Sequence, residues 1–191
     1  MNFVLRSARY LAQDALRQQL RPGDTVVDAT MGNGHDTCFL AELVGETGHV
    51  IGFDLQSDAV ESSRRLLTER GLADRCELHV LGHEHMAEVV VGPVDAVMFN
   101  LGWLPGGDKS ITTHWATTKQ AVQAALSLLR PGGLLTVCAY PGHAAGDEER
   151  AALIDFFGSL RPQEYNALRQ CFLNAGPGAP ECFLVQKQGA E

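Results

Sequence analysis

A doubly wound α/β fold is predicted by three features of the sequence. From Asp24 onward, short β-branched runs alternate with longer stretches of helical period. The last two candidate strands are separated only by the Gly176-Pro177-Gly178-Ala179-Pro180 region, a turn rather than a helix. The chain has 191 residues, 45% of them hydrophobic, with no internal repeat, low-complexity tract or Ser/Pro-rich linker, so one uninterrupted domain is expected over 1–191. Strands joined by helices run parallel and are covered on both faces, whereas strands joined by a turn pair antiparallel.

The elements follow in order. Residues 2–20 carry Phe3, Val4, Ala8, Leu11, Ala12, Ala15, Leu16 and Leu20 close to a helical period, and Arg21-Pro22-Gly23-Asp24 stops that helix. It is assigned the place of a cap on the crevice (1–21), with the Rossmann-like core over 22–191. Strands are expected at 25–29, 49–54, 76–81, 96–100, 134–139, 168–174 and 182–186, and helices at 36–44, 57–70, 84–90, 113–129 and 148–160. A seven-stranded, mostly parallel sheet closing in an antiparallel hairpin is similar to the architecture of class I S-adenosylmethionine-dependent methyltransferases.

Composition narrows the function. Fifteen Lys and Arg against 23 Asp and Glu give a net charge of -8, which argues against a generally basic nucleic-acid surface and leaves room for a local patch. No apolar run approaches the roughly 20 residues of a membrane span, and residues 1–20 lack a secretory pattern, so a cytoplasmic protein without membrane contact is expected. The five cysteines (Cys38, Cys76, Cys138, Cys171, Cys182) contain no CxxC pair and read as reduced core residues, with no metal site expected. Gly82-His83-Glu84-His85 lacks the spacing of common zinc sites and reads as a turn beside a nucleotide base.

Two strand ends suggest a cofactor pocket. The first candidate strand runs into Asp28-Ala29-Thr30-Met31-Gly32-Asn33-Gly34-His35-Asp36-Thr37, where Gly32 and Gly34 permit a tight turn close to a ligand. The third glycine of a dinucleotide fingerprint would fall at Thr37, and the Asp28 carboxylate would repel a pyrophosphate but attract an ammonium or sulfonium group. That favours S-adenosylmethionine over NAD. About 20 residues later Asp54 stands at the end of the second strand, where an acid can accept ribose hydroxyls.

The fourth strand delivers Asn100-Leu101-Gly102-Trp103-Leu104-Pro105-Gly106-Gly107-Asp108-Lys109-Ser110 to the same crevice. A carboxamide, a small residue and an aromatic resemble the Asn-Pro-Pro-Tyr loop of amino methyltransferases. An amine attacks in line only with its lone pair free, and the Asn100 carboxamide can accept its hydrogens while Trp103 stacks on a flipped-out base.

Together Asp28-Ala29-Thr30-x-Gly32-Asn33-Gly34-x-Asp36-Thr37, Gly52-Phe53-Asp54-x-Gln56, Gly82-His83-Glu84, the Asn100 to Ser110 string and Tyr140-x-Gly142-His143 resemble the YtqB-like family of rRNA-methylase-type proteins, over about residues 3–187. The resemblance implies methylation of 5-aminomethyl-2-thiouridine at the tRNA wobble position, with S-adenosylmethionine held by Asp28, Thr30, Gly32, Asn33, Gly34, Asp36, Thr37, Asp54, Gln56, Gly82, His83 and Asn100. It implies Asn100, Trp103 and His143 as catalytic residues. Trp103 stands where members usually have Tyr, which keeps a stacking surface, and Pro141 stands where many have His, which leaves His143 as the remaining histidine. Methylation of rRNA or of a small molecule, and cofactor binding without catalysis, are the competing readings.

A tRNA anticodon stem-loop must meet this acidic chain. Residues 1–21 carry four arginines against one acid, and 108–146 carry three basic residues against one acid, the only net positive segments. Arg6, Arg9, Lys109 and Lys119 are therefore expected to contact RNA, with Trp103 and Asp108 completing the substrate side and a homodimer as one way to enlarge it.

Overall fold

The computed structural model describes residues 6–104, 106 and 111–189. Strands β1 (Thr25–Asp28), β2 (His49–Asp54), β3 (Cys76–Val80), β4 (Val94–Asn100), β5 (Leu129–Ala139), β6 (Tyr165–Gln170) and β7 (Glu181–Lys187) form one sheet in the order β3-β2-β1-β4-β5-β7-β6. The pairs from β3 to β5 are parallel, and β7 runs antiparallel to both β5 and β6. The helices are α1 (Ala8–Gln19), α2 (His35–Val44), α3 (Ser57–Glu69), α4 (Met86–Val89), α5 (Trp115–Leu128) and α6 (Ala144–Gly158).

Strand periodicity sends successive side chains to opposite faces, and here both faces are apolar. Val26, Val50, Ala96, Met98, Leu134 and Cys138 pack against α1, α2 and α3, whose Ala12, Leu16, Leu40, Val44 and Leu67 are buried. Val27, Ile51, Phe53, Val97, Phe99 and Val137 pack on the other side against Met86 of α4, Val122 and Leu126 of α5, and Leu153 and Phe157 of α6. The sheet is thus the middle of three layers, and the C-terminal ends of its parallel strands are left open.

Three expected boundaries move, each for a local reason. Strand β5 begins at Leu129 rather than 134, because Pro131-Gly132-Gly133 is an irregularity inside the strand, where the pairing jumps from Val94↔Leu129 to Ala96↔Leu134. Helix α6 begins at Ala144 rather than 148, because His143, not one of the usual capping residues, accepts the Gly146 N–H. Strand β6 lies at Tyr165–Gln170 rather than 168–174: it is a mostly exposed edge strand, so the apolar Phe172 and Leu173 that drew the expectation onward carry no information about pairing, and Leu173 is fully exposed. The helix expected at 84–90 is a 3₁₀ turn, His83–His85, followed by the short α4.

All five cysteines are free, but Cys171 is exposed in the turn after β6 and does not belong to the core as expected. Among the described residues no helix is long and apolar enough to cross a membrane.

The entry to α2 illustrates how tightly the layers meet. Gly34 caps the helix with a φ of 80°, and a Cβ there would lie 2.8 Å from Ser63 Cα on α3. Gly34→Ala is expected to lower stability by about 1–3 kcal/mol, from left-handed backbone and displacement of α3 together. Urea denaturation checks it, and an unchanged midpoint would show that α3 yields without cost.

Candidate active site

Beyond the ends of β1, β2, β4 and β5 lies a cavity of roughly 510 Å³. It sits where the chain order reverses, β2 lying on one side of β1 and β4 on the other, the position at which open α/β sheets bind ligands. Thr30, Gly32, Asp36, Asp54, Asn100 and Trp103 are among its lining residues.

The central contact is the Asp36 carboxylate, in the first turn of α2 and largely buried. Arg9 of α1 donates its Nε–H to both oxygens at 3.0 and 2.9 Å, and Gln13, one helical turn further, donates from Nε2 at 2.6 Å. On the other side Asn100 Nδ2 donates to Asp36 Oδ2 at 2.8 Å. A carboxylate only accepts, so this contact fixes which way the Asn100 amide points. Its carbonyl Oδ1 is left as an acceptor, facing the Tyr140 hydroxyl at 3.4 Å. The Asn100 backbone N–H donates to Thr30 Oγ1 at 2.6 Å, which ties the end of β4 to the turn after β1.

Beneath this group Asp28 is completely buried. It accepts the Thr37 hydroxyl at 2.7 Å and the Thr30 N–H at 3.3 Å. Burial, reinforced by the neighbouring Asp36 charge, pushes its carboxyl up to about 7, against which the two hydrogen bonds act only partly. Asp54, at the end of β2, accepts the N–H of Gly32 and of Gln56, both at 2.9 Å, and so holds the glycine turn against β2. His83 is buried edge-on to Phe99, and its desolvation pulls the imidazole below its ordinary value and favours the neutral ring.

Leu101 to Leu104 and Ile111 to Thr113, from the connection between β4 and α5, line a further side of the cavity. The neck of that connection is paired at Trp103↔Thr112, and the Trp103 ring lies 4.5 Å from that of His143. His143 Nδ1 accepts the Gly146 N–H at 3.2 Å, so the only lone pair of the neutral imidazole is occupied by the α6 cap and the ring presents Nε2–H. In this arrangement His143 caps α6 and contacts the Trp103 ring, and its Nε2 is buried without a hydrogen-bond partner among the described residues.

With this geometry in view, comparison with known proteins is decisive. A sequence profile of the family described as "Putative rRNA methylase" matches residues 50–186. The chain belongs to that family. It is 40% identical to a "putative rRNA-methylase" structure from Clostridium thermocellum, with a TM-score of 0.94 over 97% of this chain and 100% of the other. A "putative methyltransferase" from Streptococcus mutans in complex with SAH is 32% identical, with a TM-score of 0.87 over 96% and 99% of the two chains. An Arabidopsis thaliana protein named as a chloroplastic tRNA (mnm5s2U34)-methyltransferase is 41% identical over 170 residues, 84% of this chain and 62% of that protein, so the chain spans about three fifths of that relative's length. The fold is that of class I S-adenosylmethionine-dependent methyltransferases.

Set within the rRNA-methylase family, the expected site residues divide into four groups. Thr30, Gly32, Asn33, Asp36, Asp54, Gln56, His83, Asn100, Trp103, His143 and Arg9 all line the cavity. Asp28 and Thr37 lie buried beneath it, Gly34 is turned onto Ser63, and Gly82 is covered by the Glu84 carboxylate, so these four shape the pocket without lining it. Arg6 is exposed with its guanidinium 3.9 Å above the Tyr10 ring, and Lys119 is exposed on α5. Asp108 and Lys109 lie outside the described residues. Among the described residues no group of three or more His, Cys, Asp or Glu side chains is arranged to hold a metal ion.

Sequence reasoning missed Gln13, Thr113 and Glu149 and gave Tyr140 no role. Gln13 was findable, because i, i+4 spacing from Arg9 puts both on one face of α1. Glu149 hides in the acidic run Asp147-Glu148-Glu149, yet it shares a helix face with Leu153 and Phe157, and an acid on an apolar stripe was the available signal.

Asp28 gives a pH prediction. Its folded-state pKa lies above the ordinary 3.8, so between about pH 4 and 7 the folded chain binds more protons than the unfolded one, and stability falls as pH rises across that window. Asp28→Asn removes this component. The difference in unfolding free energy between Asp28→Asn and the parent is expected to shift in favour of the variant by about 2–4 kcal/mol from pH 4 to 7.5. Equal slopes for both proteins would mean that Asp28 is ionised throughout.

Proposed function

We propose that this chain is a S-adenosylmethionine-dependent methyltransferase that acts on the amine of 5-aminomethyl-2-thiouridine at the wobble position of tRNA, through the anticodon stem-loop. The observation that carries the reading is the Asn100 amide, oriented by Asp36 so that its carbonyl is left as an acceptor in an acidic cavity that Trp103 also lines. The name of the Arabidopsis relative supports the tRNA substrate.

The cavity suits the cofactor chemically. Acidic Asp36 and Asp54 line it, Asp28 lies below, and Gly32, with a φ of 53°, brings bare backbone to the wall, where a Cβ would press on Leu104 at 3.2 Å. Asp54 and Gln56 would hold the ribose end, Gly32 and Asn33 the methionine end, and His83 the base end. When bound, the cofactor supplies an electrophilic methyl group on a sulfonium. Asn100 Oδ1 accepts an amine N–H and thereby aims the lone pair, and Trp103 stacks on the base that carries the amine. Leu101 and Leu104 keep water from the transfer path. An acidic cavity selects a cationic cofactor, and it also lets Asp28 gain charge as pH rises, so affinity for S-adenosylmethionine should increase through pH 7 with uptake of the cation and release of a proton.

RNA contacts in this reading fall on Lys109 and on the exposed Arg6 and Lys119, with Arg9 engaged inward on Asp36. Few phosphate contacts give a shallow salt dependence, about one unit of log-log slope for each.

Asn100→Ala is expected to retain cofactor affinity within about twofold while lowering turnover by about 100-fold or more, which isothermal titration and a methyl-transfer assay on tRNA separate. Full turnover in the variant would remove Asn100 from the mechanism. The substrate itself is tested by mass spectrometry of tRNA nucleosides from cells lacking the protein. Loss of 5-methylaminomethyl-2-thiouridine supports the assignment, and an unchanged pool, in the absence of another enzyme for that step, with altered rRNA methylation would transfer it to rRNA.

A further inference from the structure

Glu149 is an acid with no part in the chemistry above, yet it is almost completely buried, at 1% exposure, beside exposed Asp147 and Glu148. A carboxylate in such a place must be held by donors or cost several kcal/mol. Its two oxygens accept two threonine hydroxyls: Thr118 of α5 donates to Oε1 and Thr113 to Oε2, each at 2.6 Å. Thr113 precedes α5 and belongs to the connection from β4 that lines the cavity.

The Thr113 hydroxyl is used twice. While its hydrogen goes to Glu149, its oxygen accepts the Gly102 N–H at 2.8 Å. The Thr113 N–H donates in turn to the Gly102 carbonyl at 3.1 Å, and the next pair outward, Trp103↔Thr112, forms a β-bridge. Gly102 is thus gripped on both backbone groups, between Asn100, which aims the nucleophile, and Trp103, which stacks the base. The grip comes from α6, and it runs through one hydroxyl. The first turns of α6 also present the His143 ring to Trp103, so the helix reaches this loop at two points.

We propose that Glu149 is a positioning residue for methyl transfer: through the Thr113 hydroxyl it fixes Gly102 and so sets the placement of Trp103 relative to Asn100. This rests on the function proposed above, but the placement itself can be read without it. If Glu149 served only to bind α6 to α5, the Thr118 hydroxyl would suffice and Thr113 would be dispensable.

The experiment separates these roles. Thr113→Val removes the shared hydroxyl with little change of shape, and Thr113→Ser restores it. Trp103 and Trp115 are the two tryptophans, so in a Trp115→Phe background Trp103 is the single emitter. Acrylamide quenching of Trp103 is expected to rise about twofold or more in Thr113→Val and to return in Thr113→Ser, with cofactor affinity within about twofold of the parent. Turnover on tRNA should fall about 10- to 100-fold in Thr113→Val and in Glu149→Gln, and the double variant should lose no more than the worse single one, because both cut the same link. Thr118→Val should lower the unfolding midpoint more than turnover. Unchanged quenching in Thr113→Val overturns the proposal whatever the activity, as does a double variant whose losses multiply. Should Glu149→Gln fail to fold, the quenching and turnover of the threonine variants decide alone. A parent protein that methylates no RNA, with Trp103 released as expected in Thr113→Val, would count against the function and not against the positioning.

Discussion

The Asp36 carboxylate is the contact on which the rest of the site depends. A carboxylate this largely buried is tolerable only with a full set of donors, and the chain supplies them from two elements: Arg9 and Gln13 of α1, and Asn100 at the end of β4. One carboxylate thereby fixes the rotation of an outer helix and the orientation of a half-buried amide. The amide would otherwise have two nearly equivalent settings, only one of which shows an acceptor to the cavity.

Charge is distributed with the same economy. The body of the chain is acidic, and Asp28, Asp36 and Asp54 are gathered at the ends of β1 and β2 and the start of α2, where the proposed function would hold a cation. The arginines of α1 do not all face outward. Arg9 neutralises Asp36, which leaves the cavity less negative than its composition suggests and leaves fewer cations for a polyanion at its mouth. Under the function proposed above, recognition of a large RNA would then lean on shape and stacking around Trp103.

The architecture was legible in the sequence because parallel, doubly covered strands advertise themselves as apolar runs spaced by helices; β1, β2 and β4 fall close to where the pattern puts them. It failed where structure is held by something other than apolar burial. Strand β6 buries almost nothing, the Pro131-Gly132-Gly133 stretch interrupts β5 without ending it, and α6 starts on a histidine cap. The acids and glycines of the site could be read because their spacing follows strand ends, and Asn100 because it terminates a strand. The contacts that orient them could not, since Gln13, Thr113 and Glu149 meet their partners only after residues 23 to 36 positions apart are folded together. Arg9 shows the same limit from the other side: its charge was visible in the sequence, but its partner was not.

Helix α1 packs on β5 and β7, with Ala8, Ala12 and Leu16 in one cluster with Cys138 and Cys182 and Gln19 bonded to the Gly132 carbonyl. A helix made before any of the seven strands therefore has its seat built partly from the strand made after the other six. Until β7 is in place, Arg9 and Gln13 have no fixed berth and the acid they serve has no reason to stay buried. Synthesis from the N-terminus then imposes an order on competence: a nascent chain can form the first parallel strands and still await β7 before the donors that set the Asn100 amide are seated.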